Sequence, residues 1–155
     1  WLFSDDDTFL YLGGRQTKLS YVRARNSALD HDTLTPMQML ELIPRSHMRF
    51  ISETLLYFEC EDSIFVHGGL NPAMKETHRQ RLYDLLMGHR DFFQAQCYPK
   101  KVIVGHTSTQ IFRCQQPVFM SNGIVMVDTS CERTGLLSAV LPRTGEFLQV
   151  KVEAF

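Results

Sequence analysis

The chain has 155 residues, 44% of them hydrophobic, with 16 basic side chains against 17 acidic ones. That length and apolar content suit an ordinary globular core and exclude fibre and disorder. The near-cancelling charge gives no broad field for nucleic acid or an anionic membrane surface, so phosphate recognition has to be local.

Cys60, Cys97, Cys114 and Cys131 show no CxxC spacing, which favours reduced thiols in a cytoplasmic protein over zinc ligands or disulfides. No apolar run approaches the roughly 18 residues of a membrane span, and Asp5-Asp-Asp7 is unlike a basic signal-peptide start. A start at Trp1 is what a fragment of a longer chain presents.

In chain order, an acidic turn leads into Thr8-Phe-Leu-Tyr-Leu12, a short strand or helix end, and Gly13-Gly14 reads as a turn. Residues 22–34 carry Arg23, Arg25, Asp30, His31 and Asp32 without a helical or strand period, which predicts a surface loop. Thr35-Pro36 is a helix start with Met37, Leu40 and Ile43 spaced by three, and the helix should stop before Pro44. Ser46 is expected to cap a second helix running to Thr54, followed by a strand over residues 55–61.

Glu61-Asp62 is a tight turn into Ile64-Phe-Val66, so a hairpin is predicted that places His67 at its far end. Leucines 82, 85 and 86 predict an amphipathic helix over residues 74–93, interrupted at Gly88. Val102-Ile-Val104 is another buried strand, ending in Gly105-His106. Four further strands follow, over residues 117–120, 124–127, 136–141 and 147–152. Turns at Ser121-Asn-Gly123 and Arg143-Thr-Gly145 separate them, and the last three suggest an antiparallel meander.

Two apolar runs therefore end in histidines beside glycine: Phe65-Val-His67-Gly-Gly and Val104-Gly-His106-Thr. A strand-end imidazole is aimed by the backbone and suits a divalent metal, and ligands of open α/β sheets gather beyond the carboxyl ends of strands. Asp128, at a third strand end, either orients an imidazole or caps a turn. Arg90, just past Gly88, carries the fork that grips phosphate oxygens; its bland reading is a solvated helix-end arginine. His31, His47, His78 and His89 read as surface residues, and Met37, Met39 and Met48 as core filler.

Phe65-Val-His67-Gly-Gly-Leu-Asn-Pro72, Val104-Gly-His106-Thr and Val127-Asp-Thr129 with Gly135-Leu-Leu-Ser-Ala139 resemble, in order and spacing, the phosphoprotein phosphatases of the calcineurin-like metallophosphoesterase superfamily. Gly13-Gly-Arg-Gln-Thr17 also resembles the segment after the third metal motif of bacterial members. The resemblance implies an α/β (α+β) fold: the C-terminal part of a sandwich of two mixed β-sheets with flanking helices, the whole chain belonging to one metallophosphatase domain. It implies two divalent ions, Mn²⁺ first with Fe or Zn as alternatives, His67 and His106 on the same ion, and Arg90 on the phosphate. The implied activity is that of a serine/threonine protein phosphatase acting on a phosphoprotein or small phosphoester. The alternatives are a symmetrical dinucleoside tetraphosphatase and a non-catalytic interaction module.

Gly88 stands where the family often has tryptophan, and Thr129-Ser130 where bacterial relatives have Thr-Gly. The family's Gly-Asp-x-His-Gly, Gly-Asp-x-x-Asp-Arg-Gly and Gly-Asn-His-Asp/Glu motifs do not occur in this chain. The expected partner is therefore an N-terminal half supplying those ligands, with this chain inactive alone and short of a complete core.

Overall fold

The structure is a computed structural model that describes residues 8–26 and 28–152. It has a mixed α/β architecture in two compact units, Trp1–Thr54 and Leu55–Phe155. The acidic turn expected at Asp5 to Asp7 lies outside the described residues.

The first unit is helical. A π-helical segment, Leu10–Gly14, runs directly into α1, Arg15–Ala24, so Gly13-Gly14 is not the expected turn and the loop begins later than residue 22. Helix α1 buries only Lys18 and Val22, too sparse an apolar stripe to announce a helix. The buried Lys18 ammonium donates to the Leu34 carbonyl at 3.3 Å.

Helix α2, Pro36–Leu42, begins as its sequence dictates. Gln38 N–H donates to Thr35 Oγ1 at 3.3 Å and Thr35 N–H donates to Gln38 Oε1 at 3.0 Å, a reciprocal capping box with proline at the first helical position. The helix stops before Pro44. Helix α3, Arg45–Ser52, is capped at Pro44, whose carbonyl accepts from His47 N–H and Met48 N–H; the expected Ser46 cap is inside the helix instead. Val22, Leu34, Met39, Leu42 and Ile43 form the small core of this unit.

The second unit is built on a five-stranded sheet in the order β1-β2-β3-β5-β4. Its strands are β1 Tyr57–Glu59, β2 Ser63–Val66, β3 Lys101–Val104, β4 Val118–Phe119 and β5 Ile124–Met126. β1 pairs antiparallel with β2 through the expected hairpin, β2, β3 and β5 are mutually parallel, and β4 closes the far edge antiparallel to β5. All three residues of β5 and the last three of β3 are buried. That is why these segments read as unbroken apolar runs rather than alternating ones.

The two remaining strands, β6 Leu136–Leu141 and β7 Glu146–Lys151, form a separate antiparallel ribbon. The expected three-strand meander is thereby corrected, because β5 pairs with β3 and not with β6. The ribbon is tied to the sheet where Arg143 Nε meets Asp62 Oδ2 at 3.1 Å and where Lys101 Nζ donates to the Pro142 carbonyl. Leu137, Leu141, Leu148 and Val150 on its other face are exposed.

The helix expected over residues 74–93 does break at Gly88, but the rest of it is also in pieces: a 3₁₀ turn Thr77–Arg79, α4 Leu82–Met87 and a 3₁₀ turn Phe92–Gln94. The Gln80 side chain accepts from Asn71 N–H at 2.7 Å and donates to the Met74 carbonyl at 2.9 Å. Those bonds hold residues 71–80 as a loop against the helical alternative. Ile64, Val66, Leu85, Phe92, Val102, Val104, Ile124 and Met126 belong to the core. No helix among the described residues is long and apolar enough to cross a membrane.

Candidate functional site

Because β2, β3 and β5 are parallel and in register, Val66 opposite Val104 and Val104 opposite Met126, the residues that follow them emerge at one edge of the sheet. His67 follows β2, Gly105-His106 follows β3, and Val127-Asp128 follows β5. This is the strand-end crevice where α/β sheets gather ligands. His67, Gly105, His106, Asp128, Thr129 and Cys131 all line one cavity there, of about 240 Å³.

The two imidazoles are the centre of the arrangement. Their ring centroids are 5.0 Å apart with an interplanar angle of 64°, and both residues are exposed toward solvent. The Gly105 N–H donates to the His67 carbonyl at 3.1 Å, fixing one strand end to the other. A β-carbon at Gly105 would come no closer to His67 Nδ1 than 3.6 Å, an ordinary contact.

His106 has φ +59°, a left-handed conformation that a β-carbon disfavours. Ser130, in the loop after β5, is also left-handed at φ +52°. Strained backbone of this kind persists where neighbouring structure enforces it. The bonds that do so are present: Thr109 N–H donates to the Asp128 carbonyl at 2.8 Å, and Ser130 Oγ donates to Ser108 Oγ at 2.6 Å. The loop after β3 is thus laced to the loop after β5.

Asp128 lines the cavity, and its Oδ1 accepts from Ser130 N–H at 2.8 Å. Of the two roles open to it from sequence, the turn cap is the one this bond serves. Arg90 lies elsewhere. Its side chain is 89% exposed, its Nε is 3.6 Å from Asp91 Oδ2, and it is not among the residues lining this cavity. The neighbouring His89 is more enclosed, with Nδ1 accepting from Asp91 N–H at 3.2 Å. Sequence reasoning passed over Cys131 and Ser138, which also line the cavity, and Ser130. Ser130 and Cys131 come in with the loop after β5 and Ser138 with β6, and none of them carries a strand-end signature. Thr129, nearly inaccessible, donates to the Leu136 carbonyl at 2.6 Å and so joins ribbon to site.

The donor set can be tested against the metals that the resemblance implies. Metal–imidazole bonds are about 2.0–2.1 Å, so two nitrogens sharing an ion lie within about 4.2 Å of each other. Rings centred 5.0 Å apart can present such a pair. Among the described residues, the sole group of three or more His, Cys, Asp or Glu donors close enough to share an ion is Asp30, His31 and Asp32 in the first unit, without His67 or His106. The pair therefore fits two positions on one ion and does not by itself fit a two-ion centre, which needs carboxylate bridging across roughly 3.5 Å.

No protein-family model matches the chain, and no curated protein matches it.

Proposed function

We propose that this chain contributes half of the active site of a metal-dependent phosphomonoester hydrolase of the serine/threonine protein phosphatase type. His67 and His106 would hold one ion, and residues outside this chain would supply the remaining ligands. The observation carrying this reading is the pair of imidazoles, centroids 5.0 Å apart, delivered by adjacent parallel strands to one cavity. Strand-end placement with left-handed backbone at His106 is the signature of a positioned group rather than a surface histidine.

Divalent ions, when bound, supply Lewis acidity toward water and phosphoryl oxygens. The chain's own part is to hold two imidazoles at fixed separation, by the bond from Gly105 N–H to the His67 carbonyl and by the laced loops after β3 and β5. Arg90, exposed and 3.6 Å from Asp91 Oδ2, would be the chain's phosphate-binding fork.

Two imidazoles hold metal weakly, so the 155-residue chain alone should show only background hydrolysis of a phosphopeptide in Mn²⁺. In a protein that joins it to the missing ligands, His67→Ala and His106→Ala should each lower both bound metal and phosphopeptide hydrolysis. Unchanged metal stoichiometry by elemental analysis would exclude the ligand role, and preference for diadenosine tetraphosphate would redirect the substrate class. The donor count favours a second reading, an interaction module with this fold and no metal centre. That reading requires His67→Ala and His106→Ala to leave metal content unaltered.

A further inference from the structure

The turn that follows His67 and the end of α4 are packed backbone against backbone. Gly68 N–H donates to the Leu85 carbonyl at 2.7 Å. A β-carbon on Gly68 would lie 2.3 Å from Gly88 N, 2.6 Å from the Leu86 carbonyl carbon and 2.6 Å from Met87 N. All three are main-chain atoms, so no rotamer change relieves the clash. Gly88 itself has φ +80° and ψ 145°, and a β-carbon there would stand 3.0 Å from the Gly68 carbonyl oxygen. At the next residue, a β-carbon on Gly69 would be 2.9 Å from two carbons of the fully buried Phe92 ring.

His67 is consequently gripped from two sides. Its carbonyl is tied to Gly105 N–H at 3.1 Å, beside His106, and the peptide that follows it is tied to α4. The first tie sets the distance between the strand ends. The second sets how the chain leaves β2, and with it the direction of the imidazole.

We infer that Gly88 is a positioning residue for His67: by allowing the end of α4 to meet Gly68 without side chains between, it holds the His67 ring in register with His106. This deepens the proposed function and rests on the ligand role of His67. A methyl group at Gly88 pushes against the Gly68 carbonyl and strains the Gly68–Leu85 bond, while Phe92 and the buried residues of β3 and β5 are untouched. The sheet survives, and the ring pair loses its alignment.

The test is Co²⁺ titration of the protein, followed through the paramagnetic broadening of the His67 and His106 ring resonances. Wild type should bind at both rings. Gly88→Ala should bind about tenfold more weakly, as removal of a ligand's supporting contact does. Gly145→Ala is the control: φ is +77° with nothing within 4 Å of an added β-carbon, so it puts a β-carbon on positive-φ backbone without the Gly68 contact, and Co²⁺ affinity should stay at the wild-type value. Gly68→Ala combined with Gly88→Ala should be within about twofold of the weaker single variant, since both act on one contact. If Gly68→Ala does not fold, the comparison of Gly88→Ala with Gly145→Ala decides. Wild-type affinity in Gly88→Ala overturns the inference and leaves the ligand role of His67 standing. An unfolded Gly88→Ala overturns it as well, because positioning leaves the fold intact. Absence of any Co²⁺ response at the wild-type rings removes the ligand role, and this inference with it.

Discussion

Replacing His106 by glycine should cost the protein none of its stability. The residue is held at φ +59°, where a residue with a β-carbon pays about 1–2 kcal/mol relative to right-handed backbone. Histidine tolerates that region better than most, so the lower figure applies. Glycine relieves the strain but adds roughly 0.5–1 kcal/mol of unfolded-chain entropy to be lost on folding. The ring is exposed, so little packing is forfeited. The balance puts His106→Gly between equal to wild type and about 0.5 kcal/mol more stable. His106→Ala keeps the β-carbon and should fall below the glycine variant by about 0.5–1 kcal/mol. Urea unfolding followed by far-ultraviolet circular dichroism measures both, and 1 kcal/mol corresponds to roughly 4–8 °C in a unit of this size. Co²⁺ binding should be lost to the same extent in the two variants. Equal stability of the alanine and glycine variants would refute the claim that His106 is strained, and with it the argument that the strand end is shaped for the imidazole.

Phe92→Ala should cost about 3–5 kcal/mol, because the ring is fully buried beside Phe93 and Tyr98; the half-buried Phe93→Ala should cost clearly less, and equal losses in urea unfolding would contradict the assigned core. Burial pushes the Tyr98 phenol up to about 12 from 10.0, and its hydroxyl donates to the Phe92 carbonyl at 3.2 Å. A raised folded pKa means stability is whole below pH 10 and drains away as pH climbs toward about 12, so Tyr98→Phe should flatten the pH dependence of unfolding in that window. Thr35→Ala should remove about 1 kcal/mol from α2 and speed amide exchange at Gln38, whereas Thr35→Ser should preserve both. At the acid end, Lys100 and Thr77 hydrogen bonds hold the Glu59 carboxyl below its ordinary range. Its contribution is present above that range and fades as pH falls through the lowered value. Glu59→Gln should therefore lessen the loss of stability on acidification.

Elements written by local chemistry could be read from the chain. Thr35-Pro36 starts α2, Pro44 ends it, and the runs before His67 and Gly105 are strands because β-branched residues fill both faces of a buried sheet. What escaped depended on partners distant in sequence. Gln80 unwinds the first part of the expected helix by bonding to Asn71 and Met74, which no periodicity announces. The pairing of β5 with β3 rather than β6 is set by the shared core, since turn residues specify only neighbours. Helix α1 was hidden by its polarity, its buried face consisting of Lys18 and Val22. At the site, the two histidines stood out through their flanks. Cys131, Ser130 and the Gly68–Gly88 contact did not, because each exists only where separate segments meet.

The three parallel strands β2, β3 and β5 separate two tasks that many sites entangle. Residues up to Val66, Val104 and Met126 are buried and answer to packing, while His67 and His106, just beyond two of them, are exposed and answer to no such constraint. The crevice therefore works as a socket whose fittings can be exchanged. A carboxylate, thiol or amide installed at position 67 or 128 would inherit a placement already decided by the apolar strand beneath it. Substitution at those positions changes what the crevice presents without rebuilding the scaffold.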